Sequence, residues 1–186
     1  IDIMLAIDVS TSMLAEDLKP NRLEAAKDVA AEFINGRPND NIGITLFAGE
    51  TFTQCPLTVD HAVLLDMIHN IKCGLITDGT AVGMGIANAV TRLKDSKAKS
   101  KVIILLTDGT NNKGDISPMT AAEIAKSFGI RVYTIGVGTN GMAPYPYPVG
   151  NTVQYVSMPV EIDEKTLTEI AGTTDGNYFR ATSNSK

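Results

Sequence analysis

Short apolar runs alternate along the chain with longer stretches in which apolar residues recur every three or four positions. The runs are typical of buried β-strands, and the longer stretches are typical of amphipathic helices. The predicted strands are residues 1–7, 42–48, 51–54, 101–107, 131–137 and 177–181. The predicted helices are residues 21–34, 60–71, 81–93, 117–129 and 163–174.

Helices that separate nearly continuous apolar strands are typical of parallel βαβ units in which both faces of the sheet are covered. We therefore predict an α/β fold: a doubly wound, mainly parallel central sheet with helices on both faces and one short antiparallel edge strand, residues 51–54. The run KVIILLT (101–107) is the most continuously apolar and is predicted to be central. The Pro/Gly-rich segment 140–152 is predicted to be a loop without helix or strand. Residues 1–186 are predicted to form a single domain.

Carboxyl and hydroxyl side chains follow two of these strands directly. DVSTS (8–12) follows the first strand, and Asp108 follows the strand 101–107. In doubly wound folds, ligands bind beyond the carboxyl ends of the strands. If the two strands are neighbours, Asp8 and Asp108 lie at the same rim. There they repel each other unless one is protonated or a cation lies between them.

Hydroxyl groups near these carboxylates favour the cation. Ser10 and Ser12 are two residues apart, so both can face the site beside Asp8, and Thr80 offers a third hydroxyl before a predicted helix. Such oxygens are hard, neutral ligands that suit Mg²⁺ or Mn²⁺ rather than zinc or copper. Each motif alone is also typical of a turn or a helix cap. Their combination predicts a site for a divalent cation.

DVSTS, the DGT of residues 78–80 and the TDG of residues 107–109 resemble the metal-ion-dependent adhesion site of von Willebrand factor A domains. That pattern is DxSxS, then a threonine from a second loop and an aspartate from a third. By this resemblance, the metal ligands are Asp8, Ser10, Ser12, Thr80 and Asp108. The segments LAEDLKPNRLEAAK, FTQCPLT and RVYTIGVGTNGMAPYP further resemble one bacterial branch, the BatA-type aerotolerance proteins.

The resemblance implies a function in protein binding. It implies a bound Mg²⁺, with Mn²⁺ or Ca²⁺ as substitutes, and one coordination position that a Glu or Asp of a partner protein fills. Whether Thr80 contacts the metal directly would depend on an open or closed conformation. Two alternatives stay open: a metal-stabilised scaffold without an adhesive ligand, and a Mg²⁺-dependent hydrolase. Phosphatases with an aspartate nucleophile need a second acid two residues later, where this chain has Ser10.

Net charge, motif context and cysteine spacing argue against other classes of function. A formal net charge of -5 argues against nucleic-acid binding, which usually requires a basic face. The stretch GVGTNG (136–141) matches a dinucleotide fingerprint, but prolines at 144, 146 and 148 forbid the helix that must follow it. No nucleotide site is therefore expected. Cys55 and Cys73 have no metal-binding spacing, and we favour two free thiols over a disulfide.

The apolar runs are too short to cross a bilayer. Because the chain opens on Ile1 rather than on Met, we expect it to be a piece of a longer protein. The resemblance to the BatA branch implies that segments outside this chain anchor that protein in a bacterial inner membrane. It also implies a complex linked to aerotolerance or stress. The side of the membrane that the domain faces stays open.

Overall fold

The computed structural model describes residues 1–74, 76–110 and 114–181. The strands are β1 (Asp2–Asp8), β2 (Asn41–Phe47), β3 (Thr51–Thr58), β4 (Lys101–Thr107), β5 (Ile130–Val137), β6 (Gly141–Val149), β7 (Thr152–Val160) and β8 (Tyr178–Ala181). The helices are α1 (Arg22–Asn35), α2 (His61–His69), α3 (Val82–Leu93), α4 (Pro118–Ser127) and α5 (Glu164–Thr173). A single 3₁₀ turn, Thr11–Leu14, follows β1.

Six strands form the central sheet, in the order β3-β2-β1-β4-β5-β8. All neighbours are parallel except β3, which runs antiparallel to β2 at one edge. This confirms the doubly wound fold, the antiparallel edge strand and the central position of residues 101–107. β1 and β4 are adjacent, with Ile7 opposite Leu106. The side chains that follow these two strands therefore emerge together at the carboxyl edge of the sheet.

Alternation along β1 divides the core into two layers. Ile3, Leu5 and Ile7 pack with α1 and α2 on one face of the sheet. Met4 and Ala6 pack with α3, α4 and α5 on the other face. Every residue of β1 is buried, and residues 3–7 are apolar on both faces of the sheet, as expected of a central parallel strand. The sheet is thereby fixed rigidly beneath the polar loops at its carboxyl edge.

Side chains at the N-caps set where several helices begin. The Asn21 side chain accepts a hydrogen bond from the Glu24 backbone N–H at 2.8 Å, which confirms the predicted start of α1. Asp60, Ser117 and Asp163 cap α2, α4 and α5 in the same way. The cap of α1 also determines that Arg22 is the first helical residue, directly below the loops at the carboxyl edge.

The prediction that residues 140–152 contain no strand was wrong. They belong largely to an antiparallel hairpin of β6 and β7, which forms a separate two-stranded sheet. The prolines of β6 occupy every second position and pair with Ser157, Tyr155 and Val153. In an antiparallel pair, every second residue directs its N–H away from the neighbouring strand. Proline at those positions therefore costs no hydrogen bond between the strands.

Candidate metal centre

The loop after β1 folds around the carboxylate of Asp8, which is fully buried. The Ser10 backbone N–H and hydroxyl both donate to Asp8 Oδ1, at 2.9 and 2.5 Å. This local turn is a common one for an aspartate followed two residues later by serine. It orients the Ser10 side chain towards the carboxyl edge, and the 3₁₀ turn that follows brings Ser12 to the same side.

Asp108 completes a connected group of oxygen atoms. The Ser12 hydroxyl donates to Asp108 Oδ2 at 2.7 Å, and Ser10 Oγ lies 3.0 Å from Ser12 Oγ. The Thr107 hydroxyl donates to Asp8 Oδ2 at 2.7 Å. The structure therefore brings together four of the predicted ligands, from two segments that are distant in sequence. The sequence did not indicate Thr107 as a partner of Asp8.

Thr80 lies buried in the loop that leads into α3. Two contacts tie this loop to the rest of the site. The Thr11 backbone N–H and hydroxyl donate to the two carboxylate oxygens of Asp78, at 3.1 and 3.0 Å. Gly49, which follows β2, packs so closely that a Cβ atom there would lie 2.3 Å from the Asp78 carbonyl oxygen. Thr80 is thus held on a loop that is fastened to the DVSTS segment.

Burial and charge act together on Asp8. Burial, and then the negative charge of Asp108, raise the pKa of Asp8 to about 7, although hydrogen bonds from Ser10 and Thr107 oppose the rise. Two carboxylates buried this close together favour a cation beside them. The direction of this pKa shift therefore agrees with a site that binds positive charge.

A buried arginine was missed from the sequence. Arg22, at the start of α1, places its Nη1 3.2 Å from Asp108 Oδ2, and its Nε and Nη2 contact Asp17 at 2.8 and 2.6 Å. Gly138 leaves the space for this guanidinium, because a Cβ at that position would lie 2.7 Å from Arg22 Cζ. Gly138, the second glycine of the GVGTNG stretch, thus leaves room for Arg22. The stretch leads into β6 and not into a helix. Nothing in the local sequence pattern of α1 indicated this arrangement.

The oxygen atoms fit a hard divalent cation. Ser10 and Ser12 donate their protons to the two carboxylates, so the lone pairs of both hydroxyls are left for a cation. Neighbouring ligands of an octahedral Mg²⁺, each about 2.1 Å from the ion, lie about 3.0 Å apart. That is the separation of the two serine oxygens, 3.0 Å. The candidate donors are mostly hydroxyl oxygens, since in the described part of the chain no three His, Cys, Asp or Glu side chains gather into a metal cluster.

The β6–β7 hairpin packs beside this loop. The Tyr145 hydroxyl donates to the Thr11 carbonyl at 3.0 Å, and the Glu16 N–H donates to the Pro144 carbonyl at 2.9 Å. The two cysteines are free thiols, as predicted. Cys73 lies near the site, with its thiol 3.4 Å from the Ser10 carbonyl, and burial raises its pKa to about 12. That thiol stays protonated at neutral pH.

Residues 2–186 match the sequence profile of the von Willebrand factor type A domain. The chain therefore belongs to this family, as its fold and its DxSxS loop had indicated. An uncharacterized protein of Borreliella burgdorferi is 31% identical over 180 residues, which cover 96% of this chain and 53% of that protein. A UPF0353 protein of Nocardia farcinica is 33% identical, and the match covers 97% of this chain and 58% of that protein. The chain thus spans a little over half the length of the curated relatives it matches.

Two solved bacterial structures are similar at 34% identity. An aerotolerance-related membrane protein of Bacteroides fragilis has a TM-score of 0.88, covering 97% of this chain and 91% of that one. BatB of Bacteroides thetaiotaomicron has a TM-score of 0.89, with 98% and 91% covered. A mussel byssus matrix protein, whose adhesion-site motif holds zinc, shares the fold at 24% identity and a TM-score of 0.72, with 96% and 41% covered. None of the helices in the described part of this chain combines the length and apolar composition that crossing a bilayer requires.

Proposed function

We propose that this domain binds Mg²⁺ and, through it, a Glu or Asp carboxylate of a partner protein. Asp8, Ser10, Ser12, Thr80 and Asp108 would hold the ion, and Mn²⁺ or Ca²⁺ could replace it. The observation that carries the proposal is the continuous contact from Asp8 through Ser10 and Ser12 to Asp108. The hydrogen bonds to the two buried carboxylates place the two serine oxygens side by side, 3.0 Å apart.

The composition of the site supports an acidic partner. Three of the five ligands are neutral hydroxyls, and Arg22 already offsets part of the charge of Asp108. A divalent cation held by two carboxylates and three neutral hydroxyls is not over-neutralised by its ligands, so it would still attract an incoming anion. A partner carboxylate supplies both the charge and a hard oxygen ligand. The chemistry supplied by the metal is therefore charge recognition, without bond cleavage.

The relatives support a membrane-associated setting. Because the chain spans a little over half the length of its curated relatives, a longer parent protein could carry the membrane segments. We place the domain in a bacterial membrane-associated complex linked to aerotolerance or stress, on the likeness to the aerotolerance-related protein of Bacteroides fragilis. The metal site would then connect this complex to a protein partner.

Thermal unfolding with increasing Mg²⁺ tests the metal. A ligand at about 100 times its Kd stabilises the folded state by about 2.7 kcal/mol, which raises the Tm of a domain of this size by several degrees. Asp8→Ala and the double variant Ser10→Ala/Ser12→Ala should lose the shift. Ser127→Ala, an exposed serine at the end of α4, is the matched control and should keep it. A wild-type Tm that does not respond to divalent cations contradicts the proposal.

A second measurement separates the adhesive function from a scaffold. The probe is a Glu-containing peptide compared with the same peptide carrying Gln, titrated by calorimetry with Mg²⁺ or with a chelator. Only the Glu peptide with Mg²⁺ should bind. A Tm that rises with Mg²⁺ while neither peptide binds would favour the scaffold, in which the metal only stabilises the fold.

A further inference from the structure

The β6–β7 hairpin exposes an unusual surface. Residues 141–160 contain no charged side chain. Large apolar side chains are nevertheless exposed there, with Tyr155 at 64%, Val153 at 58% and Met142 at 62%. Every residue of β7 except the last, Val160, is exposed. An uncharged, apolar strand at the surface is a template for pairing with another strand.

The two edges of the hairpin are not equivalent. Pro144, Pro146 and Pro148 have no N–H to offer on the free edge of β6, and the Pro144 carbonyl there already accepts from Glu16. These prolines pair with Ser157, Tyr155 and Val153. Residues directly opposite in an antiparallel pair either bond to each other or both point away. The N–H and C=O groups of Val153, Tyr155 and Ser157 therefore face the free edge of β7.

The other unpaired strand edges in the described part of the chain are protected. β3 contains Pro56 and two register irregularities along its pairing with β2. β8 is only 4 residues long. Irregularities, prolines and shortness are the features that prevent edge-to-edge pairing of strands. β7, with 9 residues, has a proline only near its end, at Pro159. Its central residues carry none of these protections.

We propose that the free edge of β7 pairs antiparallel with β7 of a second copy of this chain. The three outward-facing residues are spaced symmetrically about Tyr155. A two-fold axis there places Tyr155 opposite its counterpart and Val153 opposite Ser157, which would form about six backbone hydrogen bonds. The two tyrosines then form an aromatic pair across the strands. An isologous contact of this kind joins the same surface of both copies.

Two properties of the hairpin fit a second copy as the occupant. A two-fold axis brings identical residues close together, and the absence of charge from 141 to 160 means that no like charges meet. No further copies should add to the dimer. In the resulting four-stranded sheet, each outer edge is a β6 strand, whose prolines lack the N–H groups that another strand would need. The dimer does not depend on the metal site and should form in the presence of a chelator.

Sedimentation velocity over a range of concentrations tests the proposal. We expect the average mass of the wild-type chain in chelator to approach twice that of the monomer. Tyr155→Pro, which places a proline opposite Pro146, should remain a monomer. Tyr147→Ala removes a similarly exposed tyrosine from β6 and should still dimerise. A wild-type chain that is monomeric at every concentration overturns the proposal, and so does a Tyr155→Pro chain that dimerises like the wild type.

Cross-linking locates the contact without relying on the proline variant. Tyr155→Cys should give a covalent dimer with a short thiol-reactive linker, whereas Tyr147→Cys should not. The unaltered chain is the background, since Cys55 is buried and Cys73 is half-buried. Amide exchange should also slow at residues 153, 155 and 157 as the concentration rises. Equal cross-linking at positions 147 and 155 would contradict pairing about Tyr155.

Discussion

Arg22 links the candidate metal site to a buried ion pair. Its guanidinium lies between Asp17 and Asp108, and all three side chains are no more than 3% exposed. Asp17 also accepts hydrogen bonds from the backbone and side chain of Thr139. This group joins the segment before α1, the segment after β5 and the site itself. The charge beside Asp108 therefore depends on residues that would not touch a bound metal.

Replacing Asp17 by alanine tests this link. The change leaves a buried guanidinium with Asp108 as its remaining carboxylate partner, and removing one member of a buried pair costs about 3–5 kcal/mol. We expect urea unfolding to show a loss in that range. Asp28→Ala, an exposed position on α1, is the control and should change the free energy of unfolding little. A loss no larger than that of the control would mean that the ion pair contributes little.

Asp17 also predicts how stability depends on pH. Burial alone raises its pKa, but the hydrogen bonds from Arg22 and Thr139 outweigh burial, so the pKa of Asp17 is lowered in the folded protein. A lowered pKa gives stability that is complete above the unfolded value, about 3.9, and is lost as pH falls through the folded value. The wild type should therefore lose stability more steeply below about pH 4 than Asp17→Asn does. Urea unfolding at several pH values, with Asp28→Asn as control, measures this difference, and equal acid slopes would contradict it.

At the scale of elements, the contact between Gly49 and the loop before α3 sets the position of Thr80. In Gly49→Ala, the new Cβ would need space occupied by the Asp78 carbonyl oxygen and would displace the loop. We expect this variant to lose most of the Tm increase that Mg²⁺ produces. In Gly36→Ala at the end of α1, the nearest atom would be 3.5 Å from the new Cβ, so the Mg²⁺ response should stay. An unchanged response in both variants would mean that Thr80 is not needed for the metal.

The hairpin contacts the segment after β1 through the Tyr145 hydroxyl and the Pro144 carbonyl. Tyr145→Phe removes the donor to the Thr11 carbonyl and should cost about 1 kcal/mol. Its more specific effect should be faster amide exchange in β6 and in the 3₁₀ turn. Tyr147→Phe, which alters a half-exposed ring on the same strand, should leave exchange unchanged. Identical exchange in the two variants would show that the hydroxyl does not hold the hairpin in place.

The sequence was informative where local patterns decide structure. The predicted strand KVIILLT coincides with β4, because a seven-residue run rich in β-branched residues is too short for a buried helix and favours a buried strand. The hairpin was missed because prolines usually argue against a strand. The three prolines lie at alternate positions of β6, so all of them fall where the backbone faces the free edge of that strand. The meeting of Asp8 and Asp108 could be predicted because adjacent parallel strands end at one edge of the sheet, whereas the Thr80 loop follows α2 and not a strand. Arg22 could not, since its burial depends on Asp17, Asp108 and Gly138, which only the folded chain brings together.

At the scale of the whole molecule, the site joins separate parts of the chain. β1 and β4 deliver Asp8 and Asp108 from adjacent central strands, while Thr80 arrives on a loop fastened to both Gly49 and Thr11. The strands are packed on both faces, whereas the loops rest on a few polar contacts. Metal binding should therefore rigidify the carboxyl edge and leave the rest of the fold as it is.

Hydrogen exchange with and without Mg²⁺ tests this division. Because a ligand suppresses the local openings that would disrupt its site, amides in residues 8–12, 77–80 and 108–110 should exchange more slowly with Mg²⁺. Residues 98–101, at the amino end of β4, should not change. The double variant Ser10→Ala/Ser12→Ala should show no difference at either edge. Equal slowing at both edges would mean that the ion stabilises the fold as a whole, and slowing that persists in the double variant would place the ion elsewhere.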